Sequence, residues 1–169
     1  MIVLETERLI LSRLSLEDAE FILRLLNEPS FLENIGDKGV RTSEDAREYL
    51  LSEPIASYER FGFGLFLTAE RETGTPVGMC GLLKRDSLDD PDIGFAFIPE
   101  CWGKGFATES AGAVLAYGQS TLDLARIVAI VSPSNHPSIR VLEKIGLRYE
   151  KRVRLAEDGA AISLYGIDL

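Results

Sequence analysis

A short segment with two glycines, W-G-K-G-F-A-T at residues 102–108, places the strongest constraint on the fold of this chain. The pattern predicts a strand just before it, over Asp92 to Ile98 and ended by Pro99, and a helix just after it, to about Ser120. Glycines let a chain turn tightly and approach a ligand closely, because no Cβ is in the way. The free N–H groups at the start of the helix then favour an anion, and a phosphate is the natural occupant.

The segment matches neither of two common phosphate-binding motifs. A Walker P-loop needs G-x-x-x-x-G spacing with Ser or Thr after the lysine, and the residues around Lys104 offer neither. The dinucleotide fingerprint G-x-G-x-x-G would need a glycine at Thr108 and a position earlier in the chain. Taken alone, the pattern is equally consistent with a tight turn that binds nothing.

Hydrophobic periodicity and turn signals predict the other elements. Strands are expected over Val3–Leu14, Phe63–Ala69, Val77–Leu83, Ile127–Val131, Arg148–Leu155 and Ala161–Ile167. Helices are expected from Ser15 to Pro29, from Thr42 towards Pro54 and from Asn135 to Ile145. Turns at Thr73-Gly74 and Asp158-Gly159 predict two hairpins. The order predicts one domain over residues 1–169 with a mixed, largely antiparallel α/β sheet that is not doubly wound.

Composition and cysteine usage exclude several classes of protein. Of 169 residues, 46% are hydrophobic, which argues against a disordered chain. Cys80 and Cys101 lie too far apart for a C-x-x-C motif, and the one histidine, His136, argues against a metal site or a catalytic triad. No targeting signal and no apolar stretch that could span a bilayer is present. A cytoplasmic protein without a membrane partner is expected.

The net charge of −9 argues against nucleic acid as a partner. This charge is uneven, because residues 1–100 hold 20 acidic and 10 basic side chains while residues 101–169 hold 7 and 8. Most of the late basic residues lie between Ser138 and Arg154. A solvated face is the first interpretation of this stretch.

Several motifs in order along the chain resemble the GNAT superfamily of N-acetyltransferases, and most closely its RimJ/RimL-like branch, the ribosomal-protein-alanine acetyltransferases. They are T-E-R-L-I-L at 6–11, D-I-G-F at 92–95, P-E-C-W-G-K-G-F-A-T-E-S at 99–110, N-H-P-S at 135–138 and E-K-I-G at 143–146. The superfamily's pyrophosphate loop is Q/R-x-x-G-x-G/A, and Trp102 stands at its first position. Tryptophan departs from the Gln or Arg of that pattern, but W-G-K-G is the form usual in this branch.

The resemblance implies about seven mostly antiparallel strands with a parallel central pair, and about four helices. The strands Asp92–Ile98 and Ile127–Val131 would splay apart to admit the pantetheine arm of acetyl-CoA. The implied reaction transfers an acetyl group to a primary amine, on a protein N-terminus or a small molecule, by direct attack in a ternary complex. A homodimer is compatible with it. The alternative is a non-catalytic acyl-CoA-binding or sensing module, whereas the intact glycine segment disfavours a structural domain without cofactor.

The resemblance also implies which residues would bind acetyl-CoA, with no metal. They are Phe97 and Ile98 for the pantetheine arm, Trp102, Gly103, Lys104, Gly105, Phe106, Ala107 and Thr108 for the pyrophosphate, and Asn135, Arg140 and Lys144. Arg140 and Lys144 would face the anionic groups of the cofactor, or else remain ordinary surface charges.

Two catalytic residues follow from the same comparison. Asp92 would take the proton of the amine, directly or through a water, and its alternative role is to cap the preceding turn. Many GNAT enzymes use a tyrosine as the acid, but that position is Leu142 here, so Ser138 is expected instead. The alternative role of Ser138 is to cap the first turn of its helix. Cys101 and His136 are expected to play no part in the reaction.

The acceptor site is expected between the first two helices, over residues 29–41, and at the turn over residues 157–161. Four acidic residues in these segments would favour a cationic acceptor. They are Glu33, Asp37, Glu157 and Asp158.

Overall fold

The computed structural model describes residues 1–169 and has one eight-stranded sheet at its centre. The strands are β1 (Ile2–Glu5), β2 (Leu9–Arg13), β3 (Leu65–Glu70), β4 (Pro76–Leu83), β5 (Asp92–Phe97), β6 (Arg126–Val131), β7 (Arg148–Val153) and β8 (Ile162–Asp168). Their order is β1-β2-β3-β4-β5-β6-β8-β7, and every neighbouring pair is antiparallel except β5 and β6. The predicted mixed α/β sheet with a parallel central pair is confirmed.

Six α-helices pack around the sheet. They are α1 (Ala19–Leu26), α2 (Pro29–Asn34), α3 (Ser43–Leu50), α4 (Ala56–Phe61), α5 (Phe106–Ser120) and α6 (His136–Lys144). The helix α5 connects the two parallel strands and packs on β4 and β5, so its N-terminus lies where β5 ends. None of the helices has the length and apolar character needed to cross a lipid bilayer.

The N-terminal segment Val3–Leu14, predicted as one strand, folds back on itself as a hairpin. The reversal takes place over residues 6–8, where the Thr6 N–H donates to the Leu9 carbonyl oxygen at 2.9 Å. The Thr6 hydroxyl in turn accepts from the Leu9 N–H at 3.0 Å. The prediction of a single strand is wrong, because side-chain bonds close this turn without glycine or proline. It accounts for eight strands where about seven were expected.

Of the two prolines at predicted helix ends, Pro29 follows the end of α1 at Leu26 as expected, whereas Pro54 lies inside a helical segment. Pro29 is the first residue of α2, where an N–H has no intrahelical partner to lose. Pro54 lies in a π-helical turn, Leu51–Ile55, that joins α3 to α4. In a regular α-helix its ring would clash with the carbonyl four residues earlier, and the local widening relieves this. The helix therefore continues past Pro54, and its predicted end is wrong.

The two predicted hairpins are present but differ in their turns. Gly74 has φ of 76° and donates to the Glu70 carbonyl oxygen at 2.8 Å, which closes a short connection between β3 and β4. The connection of β7 to β8 spans residues 154–161, and the predicted turn at Asp158-Gly159 lies within this longer loop, where the Gly159 N–H donates to the Ala156 carbonyl oxygen at 2.9 Å. This longer loop brings Gly159 and Ala160 to the cavity described below.

Candidate active site

The glycine loop, residues 102–105 between β5 and α5, presents a row of unpaired main-chain N–H groups. Gly103 and Gly105 have φ of 75° and 83°, in the left-handed region that favours glycine. Gly105 is the N-cap of α5, and none of the six N–H groups from Gly103 to Thr108 donates to another protein atom. These donors converge at a helix N-terminus, where the helix dipole is positive. The geometry suits a phosphate or pyrophosphate group.

Contacts from the β1–β2 hairpin, which we call the Arg8–Glu109 clamp, fix the glycine loop. The Glu109 carboxylate accepts from the Thr6 hydroxyl at 2.5 Å and from Arg8 Nε at 2.7 Å. Arg8 Nη1 donates to the Lys104 carbonyl oxygen at 2.8 Å, and its guanidinium lies 4.8 Å from the centre of the Phe106 ring. Partial burial raises the pKa of Glu109, but the hydrogen bonds from Thr6 and Arg8 outweigh it and lower the pKa below its usual value. Glu109 therefore stays charged and anchors the loop.

The sheet opens between β5 and β6 just after β5 begins. Asp92 and Val128 are the one pair in register between these strands, and the Val128 N–H donates to the Pro91 carbonyl oxygen at 3.0 Å. Beyond this pair, no residues of β5 and β6 are in register with one another. The splayed parallel strands implied by the resemblance are present.

The main-chain groups that face this opening belong to Phe97 and not to Ile98. The Ile98 N–H donates to the Val77 carbonyl oxygen at 3.0 Å, and the Ile98 carbonyl accepts from the Cys101 N–H at 2.9 Å. Because main-chain groups alternate between the two edges of a strand, those of Phe97 face β6. The Phe97 carbonyl accepts from Trp102 Nε1 at 2.9 Å. The prediction that Ile98 offers main-chain groups to a pantetheine arm is therefore wrong, because both of its groups are already paired.

One cavity of about 1120 Å³ connects these features. It is lined by the glycine loop, α6 and the strands beside the opening, and also by α2, α3 and the π-helical turn. The predicted site residues that line it are Asp92, Phe97, Trp102, Gly103, Gly105, Phe106, Ala107, Thr108, Asn135, Ser138, Arg140 and Lys144. Ile98 and Lys104 do not line it. A cavity of this volume has room for two substrates side by side.

Comparison with known proteins assigns the family. The acetyltransferase (GNAT) domain family matches residues 8–148. The chain belongs to the GNAT family. Among curated proteins it is 31% identical to the uncharacterized N-acetyltransferase p20 of Bacillus licheniformis, over 172 aligned positions that cover 100% of this chain and 96% of p20.

Solved structures agree with this assignment. A GNAT-family acetyltransferase from Bacillus anthracis is 28% identical, with a TM-score of 0.81 over 99% of this chain and 98% of the other. RimL, a ribosomal L7/L12 alpha-N-protein acetyltransferase solved with coenzyme A, shares the fold at 17% identity, with a TM-score of 0.86 over 100% and 98%. This GNAT protein is an N-acetyltransferase, and acetyl-CoA is the acetyl donor that the family uses.

The start of α6 offers two polar groups to the cavity. Asn135 is the N-cap, and its Oδ1 accepts from the Ser138 N–H at 3.4 Å. The Asn135 amide NH₂ and the Ser138 hydroxyl make no hydrogen bond to the protein, and both residues are half-buried. The alternative role of Ser138 as a hydroxyl cap is therefore wrong. Both groups remain available to a ligand.

Two cations lie further along the cavity-facing part of α6. Arg140 and Lys144 are exposed, line the cavity and form no ion pair. Leu142 lies between them, is 2% exposed and packs in the core. The position of the usual GNAT tyrosine therefore holds an apolar side chain with no proton to give.

Asp92 lies at the first residue of β5 with 1% of its surface exposed. Both carboxylate oxygens accept from Arg85 Nε, at 3.1 and 3.2 Å. Burial raises the pKa of Asp92 above its usual value, and the Arg85 charge offsets only part of this effect. The carboxylate makes no hydrogen bond to the main chain of the preceding turn, so the alternative role of a turn cap is wrong.

The predicted acceptor segments reach the cavity, but their acidic side chains do not. Residues 29–41 contribute Phe31, Ile35 and Lys38, and the β7–β8 loop contributes Gly159 and Ala160. The four acidic residues expected to select a cationic acceptor, Glu33, Asp37, Glu157 and Asp158, do not line the cavity. Asp37 is instead paired with Arg41 on its own segment. That expectation is wrong.

Three polar residues at this end of the cavity had escaped the sequence analysis: Tyr49, Glu53 and Arg85. The pKa of Tyr49 is raised to about 12, mainly by burial and in part by the Glu53 charge, while the Arg85 charge acts in the opposite direction. The spacing of Tyr49 and Glu53, four residues apart, was the one signal in the sequence, because it places both on one side of a helix. Nothing in the sequence pointed to Arg85.

The cysteine and histidine nearest the site show no catalytic geometry. Burial raises the pKa of the Cys101 thiol, which therefore stays protonated. His136 is exposed and does not line the cavity. No three His, Cys, Asp or Glu side chains are grouped as a metal ion would need.

Proposed function

We propose that residues 1–169 form a single domain that transfers the acetyl group of acetyl-CoA to the primary amine of a small molecule or a protein N-terminus, by direct attack in a ternary complex. The continuous cavity between the glycine loop and the Asp92 carboxylate is the observation that carries the proposal. It joins an anion-binding row of N–H groups to a buried proton acceptor. A cavity with these two features fits two substrates bound at once.

The donor would be held by groups that have no partner within the protein. The N–H groups from Gly103 to Thr108 would bind the pyrophosphate, and the Phe97 N–H, which has no protein partner, would meet the pantetheine arm. Asn135 would donate its side-chain amide. Arg140 and Lys144 would balance the anionic groups. Bound there, acetyl-CoA supplies a thioester carbonyl carbon for attack by the amine.

Asp92 and Ser138 would move the protons of the reaction. Asp92 takes the proton of the ammonium group, directly or through a water, and its raised pKa makes it a better base near neutral pH. The freed amine nitrogen forms the C–N bond as the C–S bond breaks. The departing thiolate takes a proton from the Ser138 hydroxyl, and the second proton of the amine, released as the amide forms, restores that hydroxyl. Since a thiol has a pKa of about 8.5, the thiolate of coenzyme A is a moderate leaving group and needs only weak assistance from a proton donor.

Titration calorimetry with acetyl-CoA, followed by a thiol-release assay with primary amines and N-terminal peptides, tests the proposal. We expect acetyl-CoA to bind and at least one amine to release the thiol. Binding without any release would instead favour an acyl-CoA sensor. No binding would refute the proposal outright.

A matched pair of variants tests the assigned base. Asp92→Asn should lower kcat by about 100-fold or more, since a positioned general base contributes about 10²- to 10⁴-fold. Asp90→Asn is the control, because Asp90 lies two residues before Asp92, is paired with Arg126 of β6 and does not line the cavity. Equal kcat values for the two variants would remove Asp92 from the reaction.

A further inference from the structure

Arg85 presents an unused edge to the acceptor end of the cavity. It lies in the β4–β5 connection, and its Nε is held by both oxygens of the buried Asp92 carboxylate. Its Nη1 and Nη2 groups make no hydrogen bond, its side chain is 35% exposed, and it lines the cavity. A guanidinium fixed along one edge offers its remaining N–H groups in a geometry that suits a carboxylate.

Tyr49 adds a second unpaired donor to the same cavity. Its hydroxyl makes no hydrogen bond to the protein, and the residue lines the same cavity. Burial raises the pKa of Tyr49 to about 12, so the hydroxyl keeps its proton. The Arg85 charge lowers this pKa, and both side chains line the same cavity. We call the unpaired groups of Arg85 and Tyr49 the Arg85–Tyr49 subsite.

We propose that the acceptor is a primary amine with a carboxylate on the amine-bearing carbon, a free α-amino acid, whose carboxylate binds the Arg85–Tyr49 subsite while its amine lies beside Asp92. This inference rests on the acetyl transfer proposed above. Arg85 Nε is bonded directly to the Asp92 carboxylate, so one guanidinium joins the anion subsite to the proton acceptor, an arrangement that the adjacent amine and carboxylate of an α-amino acid could bridge. A protein N-terminus has an uncharged amide at that position and would leave the Nη1 and Nη2 groups of Arg85 without an anionic partner.

The other charges at this end fit such an acceptor. Glu53 lines the cavity without an ion pair and its charge acts on Tyr49, so an acceptor that carries an ammonium group as well as a carboxylate is favoured over a purely anionic one. Arg85 lowers the pKa of Asp92, and a carboxylate on its free edge would cancel part of that effect. Binding of the carboxylate would therefore make Asp92 a stronger base for the neighbouring amine. The subsite thus selects the acceptor and prepares the base together.

The test compares each free amino acid with its α-carboxamide, using thiol release from acetyl-CoA by the intact protein. The two acceptors share the same amine-bearing carbon, and rates are referred to the fraction of unprotonated amine. We expect the best amino acid to exceed its amide by about 10- to 100-fold in kcat/KM, the effect of losing charge-assisted hydrogen bonds. An amide equal to or better than the acid would overturn the inference.

Variants show whether Arg85 carries this preference. Arg85→Gln and Arg85→Lys should reduce the acid-to-amide ratio to within about threefold, while the Kd for acetyl-CoA stays unchanged. The lysine variant keeps a counter-charge for Asp92 in case the glutamine variant folds poorly. Tyr49→Phe should lower the ratio severalfold, and Lys38→Gln, at another cation that lines the cavity, should leave it unchanged.

Two failures are distinguishable. If peptides or amines without a carboxylate release thiol as fast as amino acids do, the acceptor inference is overturned and acetyl transfer stands. If no amine of any kind releases thiol, the proposed function fails and the inference fails with it. A full acid-to-amide ratio in both Arg85 variants would also overturn the inference.

Discussion

Replacing Glu109 with glutamine tests whether the Arg8–Glu109 clamp holds the glycine loop in a binding-competent form. The Glu109 carboxylate accepts three hydrogen bonds, from the Thr6 hydroxyl and from the N–H and Nε of Arg8. The Glu109 side chain is 20% exposed and that of Arg8 is 45%. Exposed ion pairs contribute about 0.2–1 kcal/mol, and hydrogen bonds to a buried charge about 1.5–3 kcal/mol. We therefore expect Glu109→Gln to lower the free energy of unfolding by about 1–2 kcal/mol, which lowers Tm by about 2–8 °C in a chain of this size.

The same substitution should weaken acetyl-CoA binding, because the Lys104 carbonyl is fixed only while Arg8 is held in place. We expect the calorimetric Kd to rise about threefold to tenfold, equivalent to about 0.7–1.4 kcal/mol. The control is Glu150→Gln, since Glu150 pairs with Arg126 at the opposite end of the parallel strands. It should lose similar stability with an unchanged Kd. A Glu109→Gln protein that loses stability but keeps its Kd within about twofold would refute the reasoning.

Three further variants and one control variant test the loop and the proton-transfer groups. Gly105→Ala should raise the Kd for acetyl-CoA about tenfold, because φ is 83° and a Cβ would lie 3.2 Å from Arg8 Nη2. Gly74→Ala is its control, at φ 76° in the β3–β4 turn. This variant should lower the free energy of unfolding in urea by about 1–2 kcal/mol and leave the Kd for acetyl-CoA unchanged. Wild-type kcat/KM should rise with pH through a pKa above the usual aspartate value, and Asp92→Asn should abolish this rise; a retained rise would assign it to another group. Because the pKa of Asp92 is raised in the folded state, the stability that Asp92 contributes is complete below its unfolded-state pKa and is lost as the pH rises through its folded-state pKa. Between these two pKa values, wild type should therefore lose stability relative to Asp92→Asn. Ser138→Ala should lower kcat about tenfold with unchanged Kd, and a wild-type kcat would exclude it as proton donor.

The sheet could be predicted from the sequence wherever a strand is buried and bounded by turn residues. The strand expected over Asp92–Ile98 is found over Asp92–Phe97, because an apolar run between two prolines has few other ways to be buried. The hairpin at Thr6 escaped prediction, because its side chain closes the turn and the apolar alternation continues on both sides. Hydrophobic periodicity indicates which residues are buried, but it does not indicate where the chain reverses direction.

The same distinction separates the predictable from the unpredictable parts of the site. The row of free N–H groups was predicted because glycines and a helix start lie next to each other in sequence. The contact that fixes it joins Arg8 to Glu109 across 101 positions, so no local pattern contains it. The free edge of Arg85 depends on which partner the fold gives to each of its nitrogen atoms. Ile98 was misassigned for a related reason, since the direction of its main-chain groups depends on the register with β4.

The net charge of −9 is compatible with an anionic ligand because the groups at the glycine loop act at short range. Main-chain N–H groups bind an anion through aligned dipoles and add no net charge, and charges further away than about 8–10 Å are largely screened in physiological salt. The carboxylate in the first turn of α5, Glu109, is neutralised by Arg8, while Arg140 and Lys144 line the cavity without ion-pair partners. The local balance at the cavity is therefore positive in a chain that is acidic as a whole. Removing Arg8 should harm acetyl-CoA binding in two ways, because the loop is no longer held and Glu109 becomes an unpaired negative charge in the first turn of α5. Removing the charge of Glu109 also loosens the loop, but it leaves the Arg8 cation beside it. Arg8→Ala should therefore raise the Kd for acetyl-CoA more than Glu109→Gln does, and raised salt should narrow the difference; an equal Kd at low salt would show that charge plays no part in how the loop is held.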